Sequence, residues 1–379
     1  MKLTTTLKKC FALMFASAVL LIGCTAAHAD DHGHNADKKI KVAILTGQNN
    51  HGWMMDTPVL NNILDEAKLF DTDILQTPDR NDPEKAAKWK AFNPDFTQYD
   101  VIILNYNGEM WPDPIKKAWL DYISGGGKAF AFHAGNNPFK GWTEFEEMIG
   151  LLWRNNKDGK RIYFDDAGNK VVQEAGDGPG AGHGRQHAYL VDTLDNEHPV
   201  FKGLPEQWMH AKDELYHGQR GPAKNMTVLM TAHAAADTGG TGVHEPVVWT
   251  IPFGKGTVMT NVMGHWWKND KDGPALKCVG FQTIFTRSIE WLATGKVTTP
   301  KPDDFPTKDA VSLRELAPYE PLAYIHIPGL PGSDPLASCD HCSPQTQPGY
   351  VPAWVQFAEM LKPLPEEASA DMRLFDRAY

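Results

Sequence analysis

The chain has 379 residues, a formal net charge of −10 at pH 7 and five cysteines. This acidic balance argues against nucleic acid and anionic membrane surfaces as partners, because both repel negative charge. A chain of this length can bury one large core or two modest ones, and its few cysteines exclude a disulfide scaffold.

The N-terminal residues have the pattern of a secretory signal peptide. Three lysines and an unbroken apolar stretch from Cys10 to Ile22 come first, and no acidic residue occurs before Asp30. The apolar stretch is shorter than the roughly 20 residues that span a bilayer, and no later stretch is long enough. The sequence therefore predicts export to the periplasm of a Gram-negative bacterium, with no membrane span.

Two cleavage patterns overlap at the end of this segment. Ala27-His28-Ala29 fits ordinary signal peptidase, which would remove residues 1–29. Leu21-Ile22-Gly23-Cys24 resembles a bacterial lipobox, which would remove residues 1–23 and leave a lipid anchor on Cys24. Both alternatives stay open.

Residues 30–39 are polar and predict a solvated tether. From Ile40 onward, short apolar strands alternate with helical stretches. Strands are predicted over residues 40–47, 72–77, 99–106 and 128–135, and helices over residues 59–70, 83–92, 112–123 and 142–149. This alternation is typical of a parallel sheet covered on both faces. The prediction is an α/β fold with a flavodoxin-like, doubly wound and mainly parallel sheet.

The following residues are less regular and predict added β-hairpins. Residues 161–175 predict a hairpin that turns at Gly168-Asn169. Further strands are predicted over residues 188–194, 226–232, 245–251 and 256–263. A long helix over residues 274–293, with Cys278 as a buried structural thiol, closes an α/β domain of residues 40–296.

Residues 297–379 are rich in proline and predict an extended C-terminal tail. The tail contains Cys339-Asp340-His341-Cys342. Ser343 stands where a c-type haem signature needs histidine, so no haem is expected. A structural zinc site would need two more ligands, and no matching pair follows. In an oxidising compartment we expect a disulfide between Cys339 and Cys342.

Polar and aromatic residues follow three of the predicted parallel strands. Open α/β sheets bind ligands beyond the carboxyl ends of their strands, so these loops should lie at the binding edge. Amides donate and accept hydrogen bonds, and aromatic rings cover apolar sugar faces, so the composition favours a ligand with many hydroxyl groups. The expected ligand-binding residues in these loops are Asn50, Trp53, Asn105, Tyr106, Asn107, Asn136 and Asn137.

Several separated motifs, in order, resemble those of the ThuA-like (trehalose utilisation) family. They are HGW at 51–53, GGGKAFAFHAG at 125–135, EFEEMIG at 144–150, HPVFKGLPEQWMHAKDELYH at 198–217, PVVWTIPFGKGTVMTNVMGHWW at 246–267 and RSIEWLATGKV at 287–297. The resemblance implies the fold of class I glutamine amidotransferases, whose nucleophile is a cysteine after a strand. Phe132-His133-Ala134-Gly135 stands there without a cysteine, so thiol-based amide hydrolysis is not expected.

The resemblance also implies the residues of the site. Catalytic residues are expected to be His133, His51, Glu214 and Asp213, with His133 or His51 as the base and Glu214 as partner or acid. His187, His265 and Trp266 are expected to bind the ligand. A divalent metal such as zinc stays open, with candidate ligands His51, His133, His187 and His265.

The resemblance associates the chain with the use of trehalose and related disaccharides through 3-oxo sugars. A ketone makes a neighbouring C–H acidic, so a general base can remove that proton and the enolate can expel the glycosidic group. The expected function is cleavage or isomerisation of 3-oxo-glycosides by acid/base chemistry, with or without a metal. Two alternatives stay open, namely a sugar-binding module without catalysis and a metal-dependent hydrolase of other substrates.

Nicotinamide is not expected as a cofactor, because the chain has no G-x-G-x-x-G fingerprint. If 3-oxo sugars are the substrate, a separate oxidoreductase must supply them.

Overall fold

The structure is a computed structural model that describes residues 39–268 and 270–323. Its strands are β1 (Ile40–Thr46), β2 (Phe70–Gln76), β3 (Val101–Leu104), β4 (Lys128–Phe132), β5 (Arg161–Phe164), β6 (Lys170–Gln173), β7 (Gly182–His183), β8 (His187–Thr193), β9 (Gln207–Asp213), β10 (Tyr216–His217), β11 (Thr227–His233), β12 (His244–Phe253) and β13 (Gly256–Asn261). Its helices are α1 (Trp53–Ala67), α2 (Lys85–Ala91), α3 (Asp113–Gly125), α4 (Thr143–Ile149), α5 (Pro274–Lys277) and α6 (Val279–Thr294). Within the described ranges, no helix has the length and apolar character needed to cross a membrane.

One half of the central sheet is parallel and has the strand order β2-β1-β3-β4-β13. The chain passes from β1 outward to β2 and then back across β1 to β3. The strand order therefore reverses between β1 and β3, and their carboxyl ends open the crevice in which such sheets bind ligands. The predicted flavodoxin-like α/β fold is confirmed.

The other half continues through β12, β11, β8 and β9, and each of these pairings is antiparallel. The predicted hairpin of β5 and β6 attaches to β12 at its edge. The sequence did not predict β9. Two of its buried positions are the polar residues His210 and Asp213, which hide the apolar pattern of a strand.

Both faces of the sheet are covered, which accounts for the continuous apolar runs in its strands. Side chains alternate along a strand, so Val42 and Ile44 of β1 point into one core and Ala43 and Leu45 into the other. Helices α1 and α6 contribute to the first core, and α3 and α4 contribute to the second.

Two helices differ from their predicted form. The helix predicted over residues 274–293 breaks at Cys278, whose backbone is extended, and the thiol is buried as expected. Helix α1 starts six residues earlier than predicted and continues through Pro58. Proline has no N–H for the carbonyl of Met54 four residues before it. The backbone N–H of Leu322 donates to that carbonyl at 2.7 Å instead.

The described part of the predicted tail packs along the domain. The backbone N–H of Met209 donates to the carbonyl of Thr307, and that of Val279 donates to Ser312. Cys24, Cys339 and Cys342 lie outside the described residues, and the domain boundaries stay predictions.

Candidate metal centre

Four buried side chains converge at the carboxyl edge of the sheet. His51 comes from the loop after β1, His133 from the turn after β4, Glu214 directly follows β9, and His265 lies in the loop after β13. One ligand atom from each lies within 4.8 Å of the others. Residues far apart in the chain therefore form one compact group of three imidazoles and a carboxyl.

The His133 imidazole is held in one orientation from two sides. Its Nδ1 lies 2.7 Å from the carbonyl oxygen of Val262, so Nδ1 carries the hydrogen and Nε2 has the lone pair. The hydroxyl of Tyr216 donates to Nε2 at 3.0 Å, a hydrogen bond that a metal ion bound by Nε2 would replace. His133 also has a φ of 43°, a left-handed conformation that costs about 1–3 kcal/mol and is often concentrated at functional sites.

The His51 imidazole is oriented by side-chain amides. Its Nδ1 lies 3.2 Å from Oδ1 of Asn49 and 3.1 Å from Oδ1 of Asn50. The backbone N–H of His51 also donates to Asn49 Oδ1, which fixes the orientation of that amide. Nδ1 therefore donates its hydrogen, and Nε2 keeps its lone pair. Behind Asn49, the amide of Asn105 donates to the buried carboxyl of Asp56 at 2.6 Å.

The carboxylate of Asp213 holds two parts of the site together. It accepts the backbone N–H of Glu214 at 2.7 Å, of Gly264 at 2.7 Å and of His265 at 3.0 Å. The imidazole of His210 donates to it from Nε2 at 2.7 Å. Asp213 was predicted to be catalytic. It lies outside the four-residue cluster, and its hydrogen bonds fix the end of β9 against the loop after β13.

His265 and Glu214 face each other without a hydrogen bond. Nε2 of His265 lies 3.2 Å from Oε1 of Glu214, yet the two are not aligned for hydrogen bonding, and Nε2 has no hydrogen-bond partner among the described residues. The side-chain nitrogen of Gln186 lies 3.3 Å from Nδ1 of His265 and 3.4 Å from Oε1 of Glu214. A buried imidazole nitrogen without a hydrogen-bond partner is suited to bind a metal ion.

Burial sets the charge states of the cluster. Burial first, and neighbouring imidazoles second, lower the pKa of His133 and of His265 to about 3 and the pKa of His51 well below 6.5. Burial also raises the pKa of Glu214 to about 7. Neutral imidazole is the form that binds metals, and nitrogen with carboxylate oxygen is a common ligand set for zinc. The three imidazoles, with the carboxyl beside them, therefore fit a divalent metal ion.

Two half-buried tryptophans lie close to the cluster. The half-buried Trp267 ring lies 5.4 Å from His51 and 6.2 Å from His265, centroid to centroid. The Trp153 ring lies 4.7 Å from Tyr216. Trp266, predicted to bind ligand, is buried instead and donates from Nε1 to the carbonyl of Asp270. The adjacent tryptophans of this motif could not be told apart by sequence.

The other predicted ligand-binding residues lie outside the four-residue cluster. Tyr106 is buried and donates to the carbonyl of Glu109, and Asn136 is buried and donates to Gln219. His187 lies outside the four-residue cluster and contacts the carbonyl of Arg185 through Nδ1. Trp53 and Asn105 are buried, whereas Asn50, Asn107 and Asn137 are at least partly exposed. Sequence reasoning missed Gln186, Tyr216, Trp153 and Trp267, because each reaches the site through tertiary packing.

The model of the ThuA family, described as trehalose utilisation, matches residues 41–292. The chain belongs to the ThuA family. A crystal structure of a ThuA-like protein from Parabacteroides merdae ATCC 43184 is 40% identical with a TM-score of 0.68, over 73% of this chain and 98% of that one. A ThuA-like protein from Bacteroides uniformis ATCC 8492 is 20% identical with a TM-score of 0.45, over 71% and 98%. A comparison with curated proteins gave no match. Membership in the ThuA family indicates a carbohydrate-related role, consistent with a small sugar as partner.

Proposed function

We propose that this ThuA protein binds a divalent metal ion such as zinc through His51, His133 and His265 and cleaves 3-oxo-glycosides. The observation that supports it most strongly is the buried group of three neutral imidazoles beside one carboxyl, with ligand atoms within 4.8 Å of one another. Family membership supports the sugar, and the donor set supports the metal.

Glu214 is the proton acceptor in this proposal. Its Oε1 lies 3.2 Å from Nε2 of His265, and burial raises its pKa, which makes the carboxylate a better proton acceptor. The buried imidazoles of His133 and His51 are poor bases because their pKa values are strongly lowered, so this assignment differs from the sequence-based expectation. A bound divalent ion would polarise a carbonyl oxygen and stabilise negative charge on it.

The reaction follows from the acidity of a 3-oxo sugar. The C2–H bond lies beside the ketone, so the Glu214 carboxylate removes that proton and the electron pair expels the glycosidic oxygen from C1. Trp267 and Trp153 offer apolar ring faces to the sugar, and the partly exposed amides of Asn50 and Asn107 offer hydrogen bonds to its hydroxyls.

Metal content and turnover test this function together. Purified protein is expected to retain a divalent ion by elemental analysis and to convert 3-oxo-trehalose or a 3-oxo-glucoside. His265→Ala is expected to lower metal affinity by more than about 100-fold, because loss of an outer contact alone costs about 10–100-fold. The control is His233→Ala, an exposed histidine outside the cluster. Metal-loaded protein that leaves 3-oxo-glycosides unchanged would falsify the proposal.

We also propose that the protein acts in the periplasm. The apolar stretch from Cys10 to Ile22, and the two overlapping cleavage patterns after it, support export. We expect labelled fatty acid in the wild-type protein and none in Cys24→Ala if the lipobox is used. If ordinary signal peptidase acts, N-terminal sequencing should begin at Asp30. Protein that keeps Met1 and stays in the cytoplasm would rule out export. If the substrate is a 3-oxo sugar, a separate oxidoreductase must supply it.

A further inference from the structure

Glu214 has a second histidine neighbour that lies outside the buried cluster. Nε2 of His183 is 3.6 Å from Oε1 of Glu214, the same oxygen that faces His265. The His183 side chain is 38% exposed, whereas that of His265 is 3% exposed. His183 therefore reaches both Glu214 and the solvent side of the site, where a substrate must enter.

The position of His183 is fixed even though its segment is rich in glycine. It belongs to β7, which pairs with β10 so that His183 lies opposite Tyr216. Its Nδ1 lies 2.7 Å from the carbonyl oxygen of Gly184, so Nδ1 donates its hydrogen there and Nε2 is directed to other partners. The Trp153 ring lies 5.9 Å from the imidazole and also contacts Tyr216. A strand pair, a hydrogen bond and a ring contact thus hold the imidazole beside Glu214.

We infer that His183 is a catalytic residue that donates a proton to the departing glycosidic oxygen while Glu214 takes the proton from C2. The inference rests on the proposed function, in which Glu214 is the general base, and it identifies the general acid. An alkoxide is a poor leaving group, so elimination of an ordinary alcohol needs a proton donor at the oxygen. His183 lies beside the base and is open to the entering substrate, and the three buried imidazoles are not.

The proton and electron balance closes without another reactant. The Glu214 carboxylate takes the C2 proton, and the C2–H electron pair forms the C1–C2 double bond. The C1–O bond breaks with its electron pair on oxygen, and that oxygen takes a proton from Nε2 of His183. The products are an alcohol and an unsaturated sugar that keeps its C3 ketone. Exchange with solvent, to which the His183 side chain is exposed, then removes the proton from Glu214 and returns one to Nε2 of His183, which restores both groups.

Leaving-group dependence tests this role. We would compare metal-loaded wild-type protein with His183→Gln on methyl 3-oxo-glucoside and on 4-nitrophenyl 3-oxo-glucoside. Methanol needs a proton to leave, whereas nitrophenolate does not. We expect His183→Gln to lower kcat on the methyl glycoside by about 10²–10⁴-fold and to retain most of the rate on the nitrophenyl glycoside. His233→Gln is the matched control, because it replaces an exposed histidine outside the site.

Two further measurements separate a chemical role from a structural one. Metal content should be the same in wild type and His183→Gln, since His183 is not part of the four-residue cluster. Free imidazole should restore part of the rate to His183→Ala on the methyl glycoside. Equal losses on the two substrates, or no loss, would overturn the role of His183 and leave the proposed function standing. Wild-type protein that converts neither substrate would overturn both.

Discussion

Glu214→Gln is expected to remove most of the turnover of a 3-oxo-glycoside while the metal stays bound. Glutamine has almost the same shape as glutamate, so it can occupy the space between His265 and Gln186. It cannot accept a proton from carbon, and loss of a positioned general base typically lowers kcat by about 10²–10⁴-fold. The measurement is kcat on methyl 3-oxo-glucoside, with metal content determined on the same preparation.

The control for this variant is Glu197→Gln, which changes an exposed glutamate whose side chain is 84% accessible and pairs with Lys202. This control variant should have a kcat and a metal content close to those of the wild-type protein. If Glu214→Gln lost its metal as severely as His265→Ala, Glu214 would be a ligand and another group would have to act as base. That result would contradict the role of Glu214 as the base.

The parallel half of the fold could be predicted because most of its strands are apolar on both faces. β1 and β3 read as continuous apolar runs, and the residues that follow their carboxyl ends meet at one edge whatever the details of packing. His51 and His133 could be placed at that edge by this reasoning alone. β9 could not be predicted, because the buried His210 and Asp213 pair with each other and break the apolar pattern.

The remaining parts of the site depend on contacts that a local pattern does not contain. Glu214 and His265 were named only by family resemblance. The sequence could not say that Asp213 turns away from the site while its neighbour Glu214 turns toward it, since both are carboxylates at the end of a strand. His183 reaches the cluster only because β7 pairs with β10 across more than thirty residues of chain. Such pairings are set by tertiary packing, which overrides local preference.

The buried pair of Asp213 and His210 is expected to make folding stability depend on pH on both sides of neutrality. Burial opposes charge on His210, but Cys278 and Asp213 outweigh it and raise the His210 pKa to about 9. Burial likewise opposes charge on Asp213, but the hydrogen bond from His210 helps to lower its pKa to about 2. A raised histidine pKa stabilises the fold fully below about pH 6.5, and that contribution disappears as the pH rises through 9. A lowered aspartate pKa stabilises it above about pH 4 and is lost toward pH 2.

His210→Leu is therefore expected to lower the free energy of unfolding near pH 6 by about 3–5 kcal/mol, because it leaves a buried carboxylate without its partner. Between pH 6.5 and 9 the free energy of unfolding of the wild-type protein should fall, whereas that of the variant should stay nearly constant. Denaturant unfolding in the presence of a chelator measures this without a contribution from metal release, and His233→Leu is the exposed control. A wild-type curve that stays flat across this interval would mean that His210 is neutral in the folded protein.

If the pair is charged, its loss should also loosen the backbone of Glu214 and His265 and lower metal affinity by about 10–100-fold.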